Sequence, residues 1–430
     1  GAEMAKYRLK DSGARAVVAD ASVLDIVEEI RDDCPELEHV IVVGDDAADS
    51  SREDFTALHT NESADFEMED IDVDTPAFLM YTSGTTGQPK GVLHTHGFSA
   101  GAQPGSYMLT DKNTRGEEVV WWMAGDWNWV TGPYLLCAAW HDGRPFVSCP
   151  TDSFDPAEAF SILEEFDVTN TWIPPTALRM MMNNCADAAE TYDLSVKIIN
   201  SSGEAVTPEI FDWVESELNV PLVEGYGQTE HPPITANCPS WFERREGSFG
   251  KPVVGYEVTI LDPDTGDELP PGEVGEIAVN RTDNPATFVE YWHRPEKTAE
   301  VTHGQWHLTG DLARRDEEGY IYFESRKDQV IITSGYRVGP DEVEEAILDH
   351  TGVAEVGVVG VPDDTRGEII KAFVQPAPGV DASDDLRESI QAQVRETLAK
   401  YEYPREIEFM DELPKTETGK VQRAELEETE

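Results

Sequence analysis

The chain has 430 residues, of which 39% are hydrophobic, so it can bury a large core and form two or three domains. It carries 86 acidic against 32 basic residues, a formal net charge of -54, which argues against nucleic-acid binding because such binding needs a basic surface. The acidic residues are dispersed along the whole chain. This pattern favours a halophilic, haloarchaeal source, where concentrated salt screens the self-repulsion of the surface.

Neither a membrane span nor a cysteine-based metal site is expected. The longest nearly unbroken apolar run, residues 129–140, includes Gly132 and Pro133 and is too short for a membrane helix. The five cysteines form no C-x-x-C pair and have no zinc spacing, so we expect free thiols. We find no signal-peptide pattern before the first periodic segment, and the sequence therefore predicts a cytoplasmic protein.

The first 75 residues follow an alternating α/β pattern. Apolar periodicity predicts helices at residues 2–12 and 23–31 and short strands at residues 16–19 and 39–43. This order favours parallel strands. Residues 61–75 are acidic and have no apolar period, which indicates a solvated loop.

A short apolar strand at residues 77–80 leads into a glycine-rich loop, Y-T-S-G-T-T-G-Q-P-K-G, at residues 81–91. Glycine allows positive φ and lets backbone N–H groups converge on one point, while hydroxyl groups and Lys90 add further donors. Such a loop suits a polyphosphate, although it lacks the Walker A spacing, and a flexible turn is the alternative. The candidate phosphate-binding residues are Thr82, Ser83, Gly84, Thr85, Thr86, Gly87 and Lys90.

This loop resembles the signature loop of the adenylate-forming, AMP-binding enzymes, which include acyl-CoA synthetases, luciferases and the adenylation domains of peptide synthetases. Further motifs of the family follow in order as far as residue 423, and the resemblance is nearest to the short-chain and medium-chain acyl-CoA synthetases. In that family additional residues of the N-terminal domain precede this region. The resemblance therefore implies a chain truncated at its N-terminus.

Two stretches after the loop have alternative interpretations. A helix is predicted to open at His94 and His96 and to run to about residue 107; their spacing could suit a metal, but without a nearby carboxylate or cysteine we favour a packing role. The tryptophan-rich stretch at residues 121–129 resembles the acyl-pocket motif of the family. This implies that Trp129 lines the acyl pocket, with core packing as the alternative, chiefly for Trp127.

The segment G-Y-G-Q-T-E at residues 225–230 resembles a second family signature. It implies that Tyr226 stacks on the purine, that Thr229 donates to the α-phosphate and that Glu230 holds Mg²⁺, a hard cation that prefers oxygen ligands. Gly227 stands where acetyl-CoA synthetases of the family have a pocket-closing tryptophan, so we expect an acyl chain longer than acetate. The earlier loop that resembles the adenine-contacting loop consists of Gly203, Glu204 and Ala205.

Three later motifs complete the implied site. The T-G-D motif at residues 309–311 implies that Asp311 accepts hydrogen bonds from the ribose hydroxyls. The motif at residues 414–423 implies that Lys420 is the catalytic lysine. Between them, the resemblance assigns ribose contact to Arg326, the domain hinge to Asp328, room for the pantetheine arm to Gly335 and the adenylate phosphate to Arg337.

The predicted fold class is α/β, with two domains. Residues 1–327 form a large N-terminal domain of α/β layers, with its upstream part missing and a small β-rich subdomain at about residues 245–325. Residues 328–430 form a small, mobile α+β C-terminal domain.

The resemblance implies an acid–thiol ligase of fatty acid metabolism that uses ATP, Mg²⁺ and coenzyme A. A carboxylic acid attacks ATP to give an acyl-adenylate and diphosphate, the C-terminal domain rotates about Asp328, and CoA then displaces AMP. The alternatives are an acetate–CoA ligase, a stand-alone amino-acid or aryl-acid adenylating enzyme, and a non-catalytic nucleotide-binding fragment.

Overall fold

A computed structural model gives the conformation of most of the chain. It describes residues 2–44, 52–63, 65–82, 89–110, 118–125, 127–150, 153–185, 187–282, 284–327, 329–333, 336–363, 366–398, 401–415 and 421–428. In this part of the chain, no helix is both long and apolar enough to cross a membrane.

Helices and strands alternate along most of the described chain. The helices are α1 (Ala2–Ser12), α2 (Leu24–Arg31), α3 (Phe55–Asn61), α4 (Gly97–Leu109), α5 (Thr131–His141), α6 (Pro156–Glu165), α7 (Pro175–Asn184), α8 (Ala188–Thr191), α9 (Pro208–Ser216), α10 (Pro295–Glu300), α11 (Pro340–Leu348), α12 (Asp384–Thr397) and α13 (Arg423–Glu428). The strands of the first half are β1 (Ala16–Asp20), β2 (His39–Val43), β3 (Glu53–Asp54), β4 (Pro76–Thr82), β5 (Lys90–Thr95), β6 (Trp121–Met123), β7 (Phe146–Val147), β8 (Asn170–Trp172), β9 (Ile198–Ser202), β10 (Leu222–Gln228) and β11 (His231–Asn237). The later strands are β12 (Lys251–Pro252), β13 (Val258–Leu261), β14 (Val274–Asn280), β15 (Glu290–Tyr291), β16 (Thr302–His303), β17 (Trp306–Arg315), β18 (Ile321–Arg326), β19 (Ile331–Thr333), β20 (Tyr336–Val338), β21 (Val353–Asp363), β22 (Gly367–Pro376) and β23 (Glu406–Phe409).

The largest sheet has the strand order β12-β11-β10-β9-β8-β6-β7. Strands β10, β9, β8, β6 and β7 are parallel, and β11 is antiparallel to β10. Helices cover both of its faces, so neighbouring residues of one strand enter different cores: Trp121 lies in one apolar cluster and Trp122 in the other. These two side chains are core residues.

Two antiparallel sheets lie beside this sheet in the same N-terminal part. One has the order β13-β14-β17-β16 with β18 paired to β17, and the other has the order β15-β5-β4. Strands β1, β2 and β3 form a separate parallel sheet. The sequence predicted β1 and β2 as parallel strands and did not predict β3.

The C-terminal part has its own sheet and core. Strands β20, β19, β22 and β21 are joined in that order, and β23 is parallel to β22. Side chains of α11 and α12, among them Val343 and Ile390, pack into the cluster that this sheet covers. The α/β class predicted from the sequence is confirmed.

The predicted helix at His94 is wrong at its start. His94 belongs to β5, which pairs with β4, and α4 begins only at Gly97. The physical reason is the hairpin: Phe78 of β4 pairs with His94 across the ladder and stacks on its ring at 4.9 Å, which keeps the segment extended.

Candidate active site

The β4–β5 hairpin brings together the described ends of the glycine-rich loop. Its register pairs Tyr81 with Gly91 and Thr82 with Lys90. The Thr82 Oγ1 atom is buried and has no hydrogen-bond partner within the described ranges, so it is a donor that a ligand could satisfy. The predicted phosphate-binding residues Ser83, Gly84, Thr85, Thr86 and Gly87 lie outside the described residues.

Tyr291 connects the loop lysine to the predicted magnesium ligand. Lys90 Nζ lies 4.3 Å from the centroid of the Tyr291 ring, within cation–π distance. Tyr291 Oη donates to Glu230 Oε1 at 2.6 Å. Burial, and then the Glu230 charge, raise the pKa of Tyr291, so its phenol remains a proton donor. Lys90 and Glu230 thus contact the same tyrosine, Lys90 at its ring and Glu230 at its hydroxyl group.

The donor set at Glu230 fits Mg²⁺ held jointly with phosphate oxygens. Glu230 is 7% exposed and follows the end of β10, where the chain turns into β11. Among the described residues, no group of three or more His, Cys, Asp or Glu side chains could hold a metal without other ligands. A single carboxylate is nevertheless typical of Mg²⁺, which usually takes one or two carboxylates with water and substrate phosphate.

Thr229 is held through its backbone by a buried histidine. His94 Nε2 donates to the Thr229 carbonyl oxygen at 2.8 Å, and the imidazole stacks on Phe78 at 4.9 Å and meets Phe98 edge to face at 5.0 Å. Burial lowers the pKa of His94 to about 4, so the ring is neutral at physiological pH. His94 therefore packs and positions the backbone at Thr229.

Asp311 is surrounded by donors from β10 and β18. Tyr226 Oη donates to Asp311, Gln228 Nε2 donates to Asp311 Oδ2 at 2.9 Å, and Arg326 Nη1 donates to Asp311 Oδ1 at 2.8 Å. Burial raises the pKa of Asp311, and the Arg326 charge acts against that rise. An ionised carboxylate has about four acceptor positions, so these three donors leave room for about one more, such as a ribose hydroxyl.

One face of the Tyr226 ring is already covered by another side chain. It is stacked on Phe249 with centroids 4.6 Å apart and planes within 6°. A purine would have to use the opposite face or the ring edge. The predicted adenine loop begins directly after β9, where Gly203 adopts φ +96°, a conformation that suits glycine. The Glu204 side chain accepts a hydrogen bond from Thr176 Oγ1 at 2.8 Å, and Ala205 is exposed.

A small cavity of about 20 Å³ lies between the central sheet and helices α4 and α5. Its wall includes Tyr134, Trp172, Ser202 and Gly225, and it has room for about one water molecule. Neither of the two predicted acyl-pocket residues is among the described residues that line it. Trp129 is 39% exposed on the surface.

The space predicted at Gly227 is not found. A Cβ atom built on Gly227 would lie 2.9 Å from the backbone of Pro232 and Pro233, so an added side chain would meet β11 and not an open pocket. The physical reason is a register shift in the β10–β11 ladder at residues 226–228, which turns this glycine toward the neighbouring strand. The glycine that does line the cavity is Gly225.

The structure describes only the surroundings of the predicted catalytic lysine. Asp328, Gly335 and Lys420 lie outside the described residues, and Arg337 is described only as part of the backbone of β20. Lys415 and Val421, the described residues on either side of Lys420, form an antiparallel β-bridge. Just beyond it, Arg423 pairs with Glu344 at 2.6 Å and Asp341 at 2.5 Å, and donates to Gln329.

Three residues that complete these groups were not predicted from the sequence in these roles: His94 as a backbone anchor, Gln228 as an Asp311 donor, and Tyr291. Gln228 lies inside a recognised motif, which could have drawn attention to it. Tyr291 and His94 have no such marker, because their partners lie 61 and 135 residues away along the chain.

Family models match both parts of the chain. The model described as AMP-binding enzyme matches residues 1–292, and the model described as AMP-binding enzyme C-terminal domain matches residues 342–420.

Several relatives are similar over nearly the whole chain. The acetyl-coenzyme A synthetase of Bacillus subtilis (strain 168) is 38% identical over 424 residues, which cover 97% of this chain and 72% of the relative. The human mitochondrial acyl-coenzyme A synthetase ACSM5 is 35% identical over 433 residues, which cover 98% of this chain and 72% of the relative.

Solved structures of adenylate-forming enzymes have the same fold. The anthranilate CoA ligase AuaEII in complex with anthranoyl-AMP matches with a TM-score of 0.85 and 30% identity, covering 100% of this chain and 80% of that chain. ATP-bound MatB from Rhodopseudomonas palustris matches with a TM-score of 0.85 and 27% identity, covering 100% of this chain and 82% of that chain. With both family models matched and these relatives aligned along it, the chain belongs to the AMP-binding enzyme family, and its homologues are acyl-CoA synthetases.

Proposed function

We propose that this protein is an AMP-forming acyl-CoA synthetase that joins a carboxylic acid to CoA through an acyl-adenylate, acting in the cytoplasm. One observation carries the proposal: two buried carboxylates meet the carboxyl end of β10. Asp311 is bonded to Tyr226 and Gln228 of that strand, and Glu230 follows it. In α/β sheets the crevice outside the carboxyl ends of parallel strands is where ligands bind.

In the first step, a carboxylate oxygen of the acid attacks the α-phosphorus of ATP. The bond to the bridging oxygen breaks, and its electron pair leaves with diphosphate. No proton has to move, because the acid reacts in its ionised form. Catalysis therefore consists of holding the two anions together and stabilising the charge that develops on the phosphoryl oxygens.

We assign the nucleotide contacts as follows. Asp311 and Arg326 would bind the ribose, with Tyr226 and the backbone of residues 203–205 against the base. Thr229 would donate to the α-phosphate, while Thr82 and Lys90 would hold the β- and γ-phosphates. Mg²⁺ held by Glu230 would supply further charge neutralisation when bound.

Different residues of the C-terminal part would act in the two steps of the reaction. In the first step Lys420 and Arg337 would contact the adenylate. In the second step the CoA thiolate attacks the acyl carbon, the bond to AMP breaks, and Gly335 would leave room for the pantetheine arm after rotation at Asp328.

The acyl group would enter the cavity bounded by Trp172, Tyr134 and Gly225. An acid longer than acetate was expected because Gly227 was thought to leave open space in the pocket. The backbone of β11 lies directly beside Gly227, so this reason for a longer acid no longer holds. The cavity of about 20 Å³ is too small even for an acetyl group, and acetate, the second candidate, would require the smallest displacement of its wall. A longer acid would require the side chains of this wall to move apart.

The test is a CoA-dependent AMP-release assay in high salt with acetate, butyrate, octanoate and benzoate, alongside amino acids. We expect AMP to form only with ATP, CoA and a simple carboxylic acid together. The order of kcat/KM among the acids decides the acyl length. AMP formation with amino acids alone would indicate the rival adenylating activity, and no AMP with any acid would refute the proposal.

A further inference from the structure

One face of α1 bonds to β4 and to the residue that directly precedes β5, in the hairpin that carries Thr82 and Lys90. Tyr7 and Asp11 are four residues apart and therefore lie on the same face of this helix. Tyr7 Oη donates to the Pro89 carbonyl oxygen at 2.7 Å. Tyr81 Oη donates to Asp11 Oδ2 at 2.9 Å, and the Tyr7 and Tyr81 rings meet edge to face at 6.2 Å.

A third segment fixes the same two side chains. Arg294 Nη2 lies 3.2 Å from both Asp11 Oδ1 and Tyr7 Oη. Trp292 Nε1 donates to the Asp11 carbonyl oxygen at 3.1 Å, and the Trp292 backbone N–H donates to Gly91 of β5 at 2.7 Å. The Asp11 side chain is only 10% exposed, so solvent screens these interactions less than it screens a surface ion pair.

These contacts act one residue away from the proposed phosphate donors. Tyr81 directly precedes Thr82, and Pro89 directly precedes Lys90. Apolar burial contributes little to holding α1 against the hairpin, because none of the described residues in this helix is fully buried and the cluster that Leu9 joins contains no described residue of the hairpin. The polar contacts of Tyr7 and Asp11 therefore set the position of the helix against the hairpin.

We propose that Tyr7 and Asp11 are positioning residues for the triphosphate of ATP, an inference that rests on the proposed function. They hold the two strand ends so that Thr82 and Lys90 face the β- and γ-phosphates, without touching the nucleotide themselves. Loss of these contacts would leave the two donors to be ordered by the ligand, and that ordering reduces its affinity.

The proposal makes ATP and AMP respond differently to substitution. Tyr7→Phe removes a single hydrogen bond and is expected to raise the Kd for ATP about fivefold, while Asp11→Ala removes the contacts with Tyr81 and Arg294 and is expected to raise it roughly tenfold or more. The Kd for AMP should stay unchanged, since AMP has no β- or γ-phosphate. Both constants are measured by titration calorimetry of the full chain in high salt.

Matched variants separate positioning from folding. Glu3→Gln alters an acidic residue of the same helix whose side chain is 84% exposed, and should leave both constants unchanged. Asp11→Asn keeps one acceptor for Tyr81 and should recover part of the ATP affinity. Thioester formation from supplied acyl-adenylate should keep its rate in all of these variants, because no triphosphate is bound in that step.

Two results would overturn the proposal: an unchanged Kd for ATP in Asp11→Ala and Tyr7→Phe, or equal losses for ATP and AMP. If Asp11→Ala does not fold, Tyr7→Phe and Tyr81→Phe keep their rings and give the same comparison. A wild-type chain that binds ATP but releases no AMP with any acid would refute the proposed function, and the ratio of the two affinities would still test the role of α1.

Discussion

In the proposed site, the buried side chain of Asp311 accepts several hydrogen bonds at once. Tyr226, Gln228 and Arg326 all donate to it, and a ribose would be a further donor. Its role followed from a motif, but its partners did not, because Tyr226 is 85 residues away in the chain. Such contacts are set by which strands end at the same edge of the fold. Sequence spacing cannot reveal them.

Replacing Asp311 tests this convergence. In Asp311→Asn an amide N–H₂ would face a donor on one side and the Arg326 charge would lose its partner, so we expect the affinities for ATP and AMP to fall at least about tenfold. Titration calorimetry measures both. Asp316→Asn, which alters a carboxylate that pairs with Arg245 just past β17, is the control and should leave both affinities unchanged. Equal behaviour of the two variants would contradict the assignment.

His94 gives a prediction about pH. Its pKa is about 4 in the folded chain against an ordinary value of 6.5, because burial disfavours the charged ring. Below pH 6.5 the unfolded chain therefore binds the proton more readily, and this histidine makes stability fall as the pH drops toward about 4. The slope from one such residue approaches about 1.4 kcal/mol per pH unit.

Urea unfolding of the wild type and of His94→Gln at constant high salt measures that slope. The glutamine can still donate to Thr229 but does not titrate, so the pH dependence should be weaker by about one proton. Identical pH dependence in the two proteins would contradict a buried, neutral His94.

At the scale of elements, apolar runs predicted the strands with the strongest patterns, and no strand was predicted at β11, whose ladder with β10 is irregular. Helix α1 and the strands β1 and β2 were predicted from their periodicity. Strand β11 contains Pro232 and Pro233, which argue against a strand because proline cannot donate to the ladder. It is accommodated by the register shift opposite Gly227, where paired hydrogen bonds are interrupted. The same irregularity explains why there is no open space at Gly227, contrary to the prediction.

Replacing Arg423 tests which interactions hold the segment just beyond the proposed catalytic lysine in place. Its side chain is 13% exposed and pairs with Glu344 and Asp341 of α11. Arg423→Met leaves those carboxylates without their cation and should lower the free energy of unfolding of the C-terminal part by about 3 kcal/mol. Lys415→Met removes a more exposed pair with Glu355 and should cost less than about 1 kcal/mol. Denaturant unfolding followed by fluorescence gives both values, and a reversed order would contradict this account.

At the scale of the whole molecule, the net charge of -54 opposes folding when salt is scarce. Because exposed charges are screened over about 8 Å at physiological ionic strength and about 3 Å at 1 M, concentrated salt should stabilise the protein. We expect the Tm and the rate of AMP release both to rise with KCl. A Tm that is independent of KCl would contradict the interpretation of the acidic surface as an adaptation to salt.

The central claim, that the acid attacks the α-phosphorus of ATP, is tested most directly by isotope transfer. The acid is supplied with ¹⁸O in its carboxylate, together with ATP and CoA, and the nucleotide product is examined by mass spectrometry. The account predicts that AMP carries one labelled oxygen and that diphosphate carries none. Label in the inorganic product, or conversion of ATP to ADP, would contradict it.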